Sequence, residues 1–488
     1  MIQFVILFWL AADAPWSQFR GPNGSGVDSA SGYPVEFSPT KNVVWKTAIP
    51  YGQSSPVVAG GQVYLTASEP GRLVTLCLDA KTGKELWRRT IKREQFTKTY
   101  KANDPAAATP VADADGVVVF FPDFGLAAYT HEGKDLWTAP LGPFKNFYGM
   151  AASPILARDM VVLVCDQQSG AYMLALDRKT GRQHWKTERA GAGIGWATPM
   201  VFRPSQGPPQ LIVIGSTRVD GYYLETGESR WWMPVGSEGG MGTPVVAGET
   251  VLFASKGTGE PWMPTFESQL VSYDKDHDGR ISAAEFADNK DLAEHFGWID
   301  SDSDGFLTAK EWTEARNMGM GESGAVAIQA DKAQGKLEPQ SAVWRFKKNL
   351  PYIPAPLVYK NVFYMVRDGG VITALDPATG KLLKEGRNRE ALGEYYASPV
   401  AADGKVYLIN GDGRMTVLKA GADWQVLATN DLGDEVHATP ALSEGRLFVR
   451  TRGAVYCFGG RLQSRDGQGA GRWGVQTGES PLPYNRGF

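Results

Sequence analysis

LDAKTGKELW, residues 78–87, returns along the chain as LDRKTGRQHW (176–185), LETGESRWW (224–232) and LDPATGKLL (375–383). Asp79 and Thr82 carry side-chain oxygens that bond nearby backbone N–H groups, and Gly83 is free to adopt positive φ. The phrase therefore reads as a tight turn between two strands. Trp87 opens the second strand, where a large flat ring can fill the gap between neighbouring sheets. Working outward from the turn, PVVA (56–59), QVYLTA (62–67), LVTLCLD (73–79) and ELWRRT (85–90) read as four successive strands, A to D. The repeat thus has a complete structural explanation and needs no chemistry.

The unit recurs. A small residue followed by Pro, and then by an apolar strand, occurs at Ser55-Pro56, Thr109-Pro110, Ser153-Pro154, Thr198-Pro199, Thr243-Pro244, Ala355-Pro356, Ser398-Pro399 and Thr439-Pro440. The intervals are 54, 44, 45, 45, 112, 43 and 41 residues. All but the 112-residue interval suit one blade of a β-propeller. The last unit lacks its Trp-bearing strand D, and VVWKTAIP (43–50) at the other end of the chain supplies one. The expected fold is mainly β, an eight-bladed propeller closed by its N-terminal segment, with seven blades as the alternative count. Closure removes the open edges that a linear array would expose.

LDAKTGKELW resembles the tryptophan-docking repeat of the pyrroloquinoline quinone (PQQ) propellers, and WSQFRGPNGSG (16–26) resembles the start of a bacterial PQQ-like branch. The resemblance spans residues 16–460 apart from one insert. It implies a quinoprotein-like ring, but both quinoprotein dehydrogenases and non-catalytic relatives share that ring. Among the latter is the propeller lipoprotein of outer-membrane protein assembly. The dehydrogenases carry two adjacent Cys over the cofactor, a Trp platform, a Ca²⁺ beside the quinone and an Asp base. This chain has Cys77, Cys165 and Cys457, none adjacent to another, and no Cys-x-x-Cys-His for haem. Each Cys lies in or beside an apolar run and reads as a buried small hydrophobe. Trp196 and Asp166 or Asp412 are candidates for the platform and base, but no local motif matches, so those roles are not carried over.

The long interval holds DKDHDGRISAAE (274–285) and DSDSDGFLTAKE (300–311), both twelve-residue EF-hand loops. Positions 1, 3 and 5 are Asp274, Asp276 and Asp278, then Asp300, Asp302 and Asp304. Gly279 and Gly305 make the sharp turn at position 6. Arg280 and Phe306 offer the position 7 carbonyls, and Ser282 and Thr308 stand at position 9. Glu285 and Glu311 close each loop with two oxygens. Without a cation the carboxylates of one loop would repel one another, and Ca²⁺ prefers such hard oxygen donors, so two Ca²⁺ sites are expected. The module, residues 262–320, falls between strands B and C of blade five. In an antiparallel blade that places it on the face of the D–A connections, opposite the Thr-Gly turns.

The same face carries the candidate ligand-binding rim. The D–A segments bring Tyr51, Lys101, Asn103, Asp104, Lys145, Tyr148, Trp196, Tyr352, Tyr396 and His437 to the channel mouth. The B–C turns add Asp123, Asp166, Arg218, Asp220, Arg367, Asp368, Asp412, Arg414, Arg450 and Arg452. Such a mixed-charge, aromatic rim suits a small ligand or a protein partner. With a formal charge of −3, the chain shows no basic footprint for nucleic acid. Residues 2–12 form an apolar run of signal-peptide length, too short to span a bilayer. Residues 1–14 are read as a signal segment, 15–460 as the propeller and 461–488 as a disordered tail. The function these features suggest is an exported, calcium-binding, non-catalytic binding or scaffold protein. The alternative is a PQQ-dependent alcohol or sugar dehydrogenase.

Overall fold

The repeats fold as eight blades of four antiparallel strands, one of which, blade 4, carries a fifth strand, as seen in a computed structural model that describes residues 15–97, 103–146, 148–261, 263–287 and 289–459. The expected signal segment 1–14, the expected tail 461–488 and Lys101 lie outside the described residues. In blade 1 strands A to D are Val57–Ala59, Gln62–Glu69, Arg72–Asp79 and Glu85–Lys92. Blade 8 takes three strands from the C-terminal end of the ring and its outermost strand, Val43–Ala48, from the N-terminal end. Trp45 pairs with Cys457 and Ala48 with Ala454, so the ring closes as the repeat arithmetic requires.

The inner strands pack against neighbouring blades on both faces. Val117–Phe121 and Met160–Cys165 are buried throughout, which explains their unbroken apolar sequence. The D strands face solvent and alternate. The Asp-x-x-Thr-Gly turn behaves as its chemistry dictates: Asp79 Oδ1 accepts from the backbone N–H groups of Lys81 (3.1 Å) and Thr82 (2.7 Å) and from the Thr82 hydroxyl (2.7 Å). Asp177 and Asp376 repeat the contact with Thr180 and Thr379.

The Trp of one blade docks on the turn of the next. Trp45 Nε1 donates to Ala80 O (3.0 Å), Trp87 to His131 O (2.7 Å) and Trp137 to Arg178 O (2.9 Å). Trp185 and Trp344 continue the pattern to Leu224 O and Pro377 O. The Thr-Gly glycine is the floor of this dock. A Cβ at Gly83, Gly181 or Gly227 would meet the incoming ring of Trp45, Trp137 or Trp185 at 2.5–2.7 Å. A bulge in the C–D pairing, with Leu86 as the extra residue in blade 1, precedes Trp45, Trp87, Trp137 and Trp185 and aims each across the gap. Blade 4 departs from the rule: Trp231 bonds Gln210 Oε1 within its own blade (2.8 Å), and a short extra strand, Gly335–Lys336, pairs parallel beside it.

The residue before each Pro has a role beyond being small. Ser55 N–H donates to Thr109 Oγ1 (3.0 Å), Thr109 N–H to Ser153 Oγ (2.9 Å) and Ser153 N–H to Thr198 Oγ1 (3.1 Å). Ala355, Ser398 and Thr439 N–H donate in turn to Ser398, Thr439 and Ser55, each at 3.0 Å. A chain of hydroxyls thus runs from blade 6 through blades 7, 8, 1, 2 and 3 to blade 4. It is interrupted at blade 5, where Thr243 Oγ1 has no hydrogen-bond partner among the described residues.

Beneath that chain of hydroxyls the segment from Trp16 to Asp28 plugs the channel. Trp16 O, Ser17 O, the Gln18 side chain, the Asn23 side chain and Gly26 O accept from Val58, Ala112, Leu156, Val201 and Ala401. Each donor is the second residue after a repeat Pro, so one short segment satisfies the inner strands of five blades. Arg20, fully buried, donates to Pro356 O (2.6 Å), and burial pulls its guanidinium down to about 9.

The insert leaves blade 5 between strands B and C, which still pair directly from Thr250↔Gln329 to Ser255↔Gly324. It contains α1 (Phe266–Tyr273), α2 (Lys290–Ile299) and α3 (Ala309–Asn317) around its own core of Phe286, Phe296, Ile281, Leu307 and Trp312. It leans on blade 3, where Lys145 Nζ donates to Ser301 O (2.9 Å) and the Gln168 side-chain amide to Trp298 O. Among the described residues no helix is long and apolar enough to cross a membrane.

Candidate functional site: an acidic loop pair beside a channel cup

The two acidic loops fold by one template. In the first, Asp274 accepts from Asp278 N–H (3.1 Å) and Gly279 N–H (3.0 Å). In the second, Asp300 accepts from Asp304 N–H (3.1 Å) and Gly305 N–H (3.1 Å). Gly279 and Gly305 take φ of 80° and 86°, as position 6 requires. Glu285 accepts from Lys275 and Ser282 N–H, and Glu311 from Ser301 and Thr308 N–H. Each Glu is therefore folded back over its own loop. Ile281 pairs with Leu307 in a short strand that joins the loops, and the Arg280 guanidinium lies 3.8 Å from the Phe306 ring centre.

Ligand oxygens of Asp274, Asp276 and Asp278 gather within 4.8 Å of one another, as do those of Asp300, Asp302 and Glu311. The Ser282 backbone N–H holds the Glu285 carboxyl below its ordinary value, whereas burial pushes Asp300 above it, with the Glu311 charge adding to the effect. This donor set, all hard oxygen, fits Ca²⁺.

The second feature is a cup of 470 Å³ in the channel mouth, floored by Phe19 of the plug and the ring hydroxyls. Its walls come from the D–A segments, as the strand order requires. Tyr148 and Trp196 lead into blades 3 and 4, and Tyr395, Tyr396 and His437 into blades 7 and 8. Tyr148 meets Trp196 edge-on at 5.5 Å, and Trp196 Nε1 donates to Gly149 O (2.6 Å). Tyr396 lies 4.4 Å from His437, whose Nδ1 is 2.9 Å from the Gln53 side-chain nitrogen. Burial lowers the His437 pKa, so the ring is neutral at pH 7.

Of the sequence candidates, Trp196, Tyr396, His437, Asn103, Tyr148, Tyr352 and Asp368 line this cup. Asp166 and Arg218 stand apart from it, in a cluster that joins blades 3 and 4. Arg189, fully buried, bonds Asp166 (2.7 and 3.0 Å) and the Tyr222 hydroxyl (2.7 Å) and pairs with Asp220 (3.4 Å). Arg218 pairs with the other oxygen of Asp220 at 2.9 Å. Arg367 donates to Asn349 Oδ1 (2.9 Å), and Asp412 accepts from Asn410 (3.3 Å). Neither is among the residues lining the cup.

Phe19, Gln53, Glu394, Tyr395 and the hydroxyls were missed. The hydroxyls had a signal, because seven of the eight pre-Pro residues are Ser or Thr. Phe19 had none, since nothing local says that its segment enters the channel. All three Cys are buried, with the Cys77 and Cys457 thiols pushed up to about 12.

PQQ is a tricarboxylate, so its seat needs cationic donors. The described residues lining the cup include Asp368 and Glu394 and no Lys or Arg. Among the described residues the cup therefore offers that quinone no cationic seat.

Three overlapping stretches, 29–201, 71–296 and 201–459, match the family model described as outer membrane protein assembly factor BamB. No curated protein matches the chain. Among solved structures, BamB from Moraxella catarrhalis is similar at 13% identity and TM-score 0.53, over 86% of this chain and 98% of that one. Quinohemoprotein alcohol dehydrogenase from Comamonas testosteroni is similar at 13% identity and TM-score 0.55, over 95% of this chain and 83% of its own. A europium-containing methanol dehydrogenase gives 10% identity and TM-score 0.52, over 91% and 98%. At these identities the shared property is the fold. With its blades, its closure and the span of the family match in agreement, the chain belongs to the PQQ-like β-propeller family of the assembly factor BamB.

Proposed function

We propose that the protein is an exported calcium-binding propeller that works by binding a partner or ligand at its channel face, without quinone chemistry. The observation that carries this reading is the meeting of the two features. Tyr148 and Tyr352 line the cup and also a 190 Å³ cleft shared with His295 and Trp298 of α2. The insert therefore borders the mouth of the cup through α2.

On this reading the insert is an EF-hand pair holding two Ca²⁺, through Asp274, Asp276, Asp278 and Glu285 and through Asp300, Asp302, Asp304 and Glu311. The Arg280 and Phe306 carbonyls complete the cages, with Ser282 and Thr308 at position 9. In an extracellular or periplasmic setting an affinity of about 10⁻⁴–10⁻³ M suffices. Export rests on the apolar run at residues 2–12 and on the outer-membrane relative. That relative is an assembly factor, which favours a polypeptide partner. The second reading, a PQQ-dependent alcohol or sugar dehydrogenase, draws on the likeness of the ring to two dehydrogenases. The described lining of the cup, with Asp368 and Glu394 and no Lys or Arg among it, weighs against it.

Calorimetry decides between the two. Titration with Ca²⁺ is expected to show two bound ions per chain, and titration with PQQ in the presence of Ca²⁺ no binding. Stoichiometric quinone binding with dye-linked oxidation of an alcohol or aldose would overturn the proposal.

A further inference from the structure

We infer that the channel cup is a receptor for an organic cation, a ligand whose alkylammonium or quaternary ammonium head sits between aromatic walls. This rests on reading the channel face as a binding surface and names the chemistry it selects.

The walls face each other. In an eight-membered ring blade 3 lies opposite blade 7, and blade 4 opposite blade 8. Tyr148 and Trp196, which lead into blades 3 and 4, therefore look across the axis at Tyr396 and His437, which lead into blades 7 and 8. An aromatic ring carries negative potential on its face, and a cation enclosed by several rings gains most when water is excluded. Phe19 and the plug close the floor, so solvent reaches the cup from the insert side.

The charge has the matching sign. Asp368 and Glu394 supply two carboxylates at the rim. Among the described residues neither has an ion-pair partner. Asp368 Oδ1 accepts from Tyr395 N–H (2.8 Å) and Glu394 Oε2 from the Tyr396 hydroxyl, which leaves one oxygen of each carboxylate for a ligand. The chain itself shows the preference, since the Lys256 ammonium lies 5.4 Å from the ring centre of Tyr352 at the same rim. Among the described residues an anion would meet the two lining carboxylates, with only Lys256 beyond Tyr352 to offset them. A neutral polyol would gain little from the carboxylate charge.

The test uses the full chain in Ca²⁺ and two probes of equal shape, choline and its uncharged isostere 3,3-dimethylbutan-1-ol. Calorimetry is expected to show choline held about tenfold more tightly than the isostere. Asp368→Asn with Glu394→Gln, both at the exposed rim, should weaken choline about fivefold and leave the isostere unchanged. Trp196→Leu should weaken choline by a similar factor, with circular dichroism and the Ca²⁺ stoichiometry as checks on folding. Nα-acetyl-lysinamide tells the source: binding with the same rim dependence assigns the site to a lysine side chain of a polypeptide, and choline binding without it assigns a free amine. Equal binding of choline and the isostere, or tighter binding of glucose, would overturn the inference while leaving the calcium-ring reading intact. Tight PQQ binding with turnover would remove both.

Discussion

The acidic loops and the channel cup share a face of the protein, yet they are assembled in opposite ways. Every donor of a loop lies within twelve consecutive residues, and the loop's own backbone N–H groups orient the carboxylates. The cup draws its lining from Phe19 to Thr439, and no two of its facing walls are near in sequence. A local site depends on a few turns. A site built around a ring depends on every blade holding its place. Substitutions that loosen blade contacts should therefore disturb the cup and spare the loops.

The largest effect is expected at the blade 3–blade 4 cluster. Arg189→Ala leaves Asp166 and Asp220 buried without their shared partner, which costs about 3–5 kcal/mol in urea unfolding. Ca²⁺ stoichiometry should stay at two, and loss of calcium binding in the folded variant would break the contrast. Next comes the hydroxyl chain. Thr109→Val keeps the shape but strands the buried Ser55 N–H, a cost of about 1–2 kcal/mol measured the same way. An unchanged midpoint would show that the chain of hydroxyls is incidental to closure.

A smaller, pH-dependent effect is expected at His437, whose pKa burial lowers in the folded state. The unfolded chain takes up this proton first as pH falls. Its contribution to stability is therefore complete above the ordinary His value and is lost as pH drops through the lowered folded value. His437→Gln should flatten that part of the stability–pH curve, and an identical curve would exclude the assignment. The smallest effect on the ring is expected from Glu285→Gln with Glu311→Gln, within about 0.5 kcal/mol for residues outside the blades. The same pair should abolish Ca²⁺ heats at millimolar metal. Global unfolding of this variant would mean that the insert is part of the ring's structure.

Much of the ring was legible because its grammar repeats. Asp79, Thr82, Gly83 and Trp87 each do what their chemistry announces, and seeing the phrase several times removed the ambiguity of any single short strand. Even so, the reason for Gly83 was only half visible. Its positive φ follows from the turn, whereas the Trp45 ring resting on it comes from another blade. The rim was legible as a face but not as a list. The strand order put Asp166 and Trp196 on the same side, and only packing separated them, one to an ion-pair cluster and the other to a wall.

By itself the sequence determined the unit, its number, the closing strand and the two acidic loops, because each rests on interactions within a few residues or on a period that can be counted. The tertiary structure alone decided that Trp16–Asp28 plugs the channel, that Phe19 floors a cup, and which rim charges remain free to meet a ligand. Those outcomes depend on which distant groups satisfy one another once the ring has closed. No local pattern of residues encodes that choice.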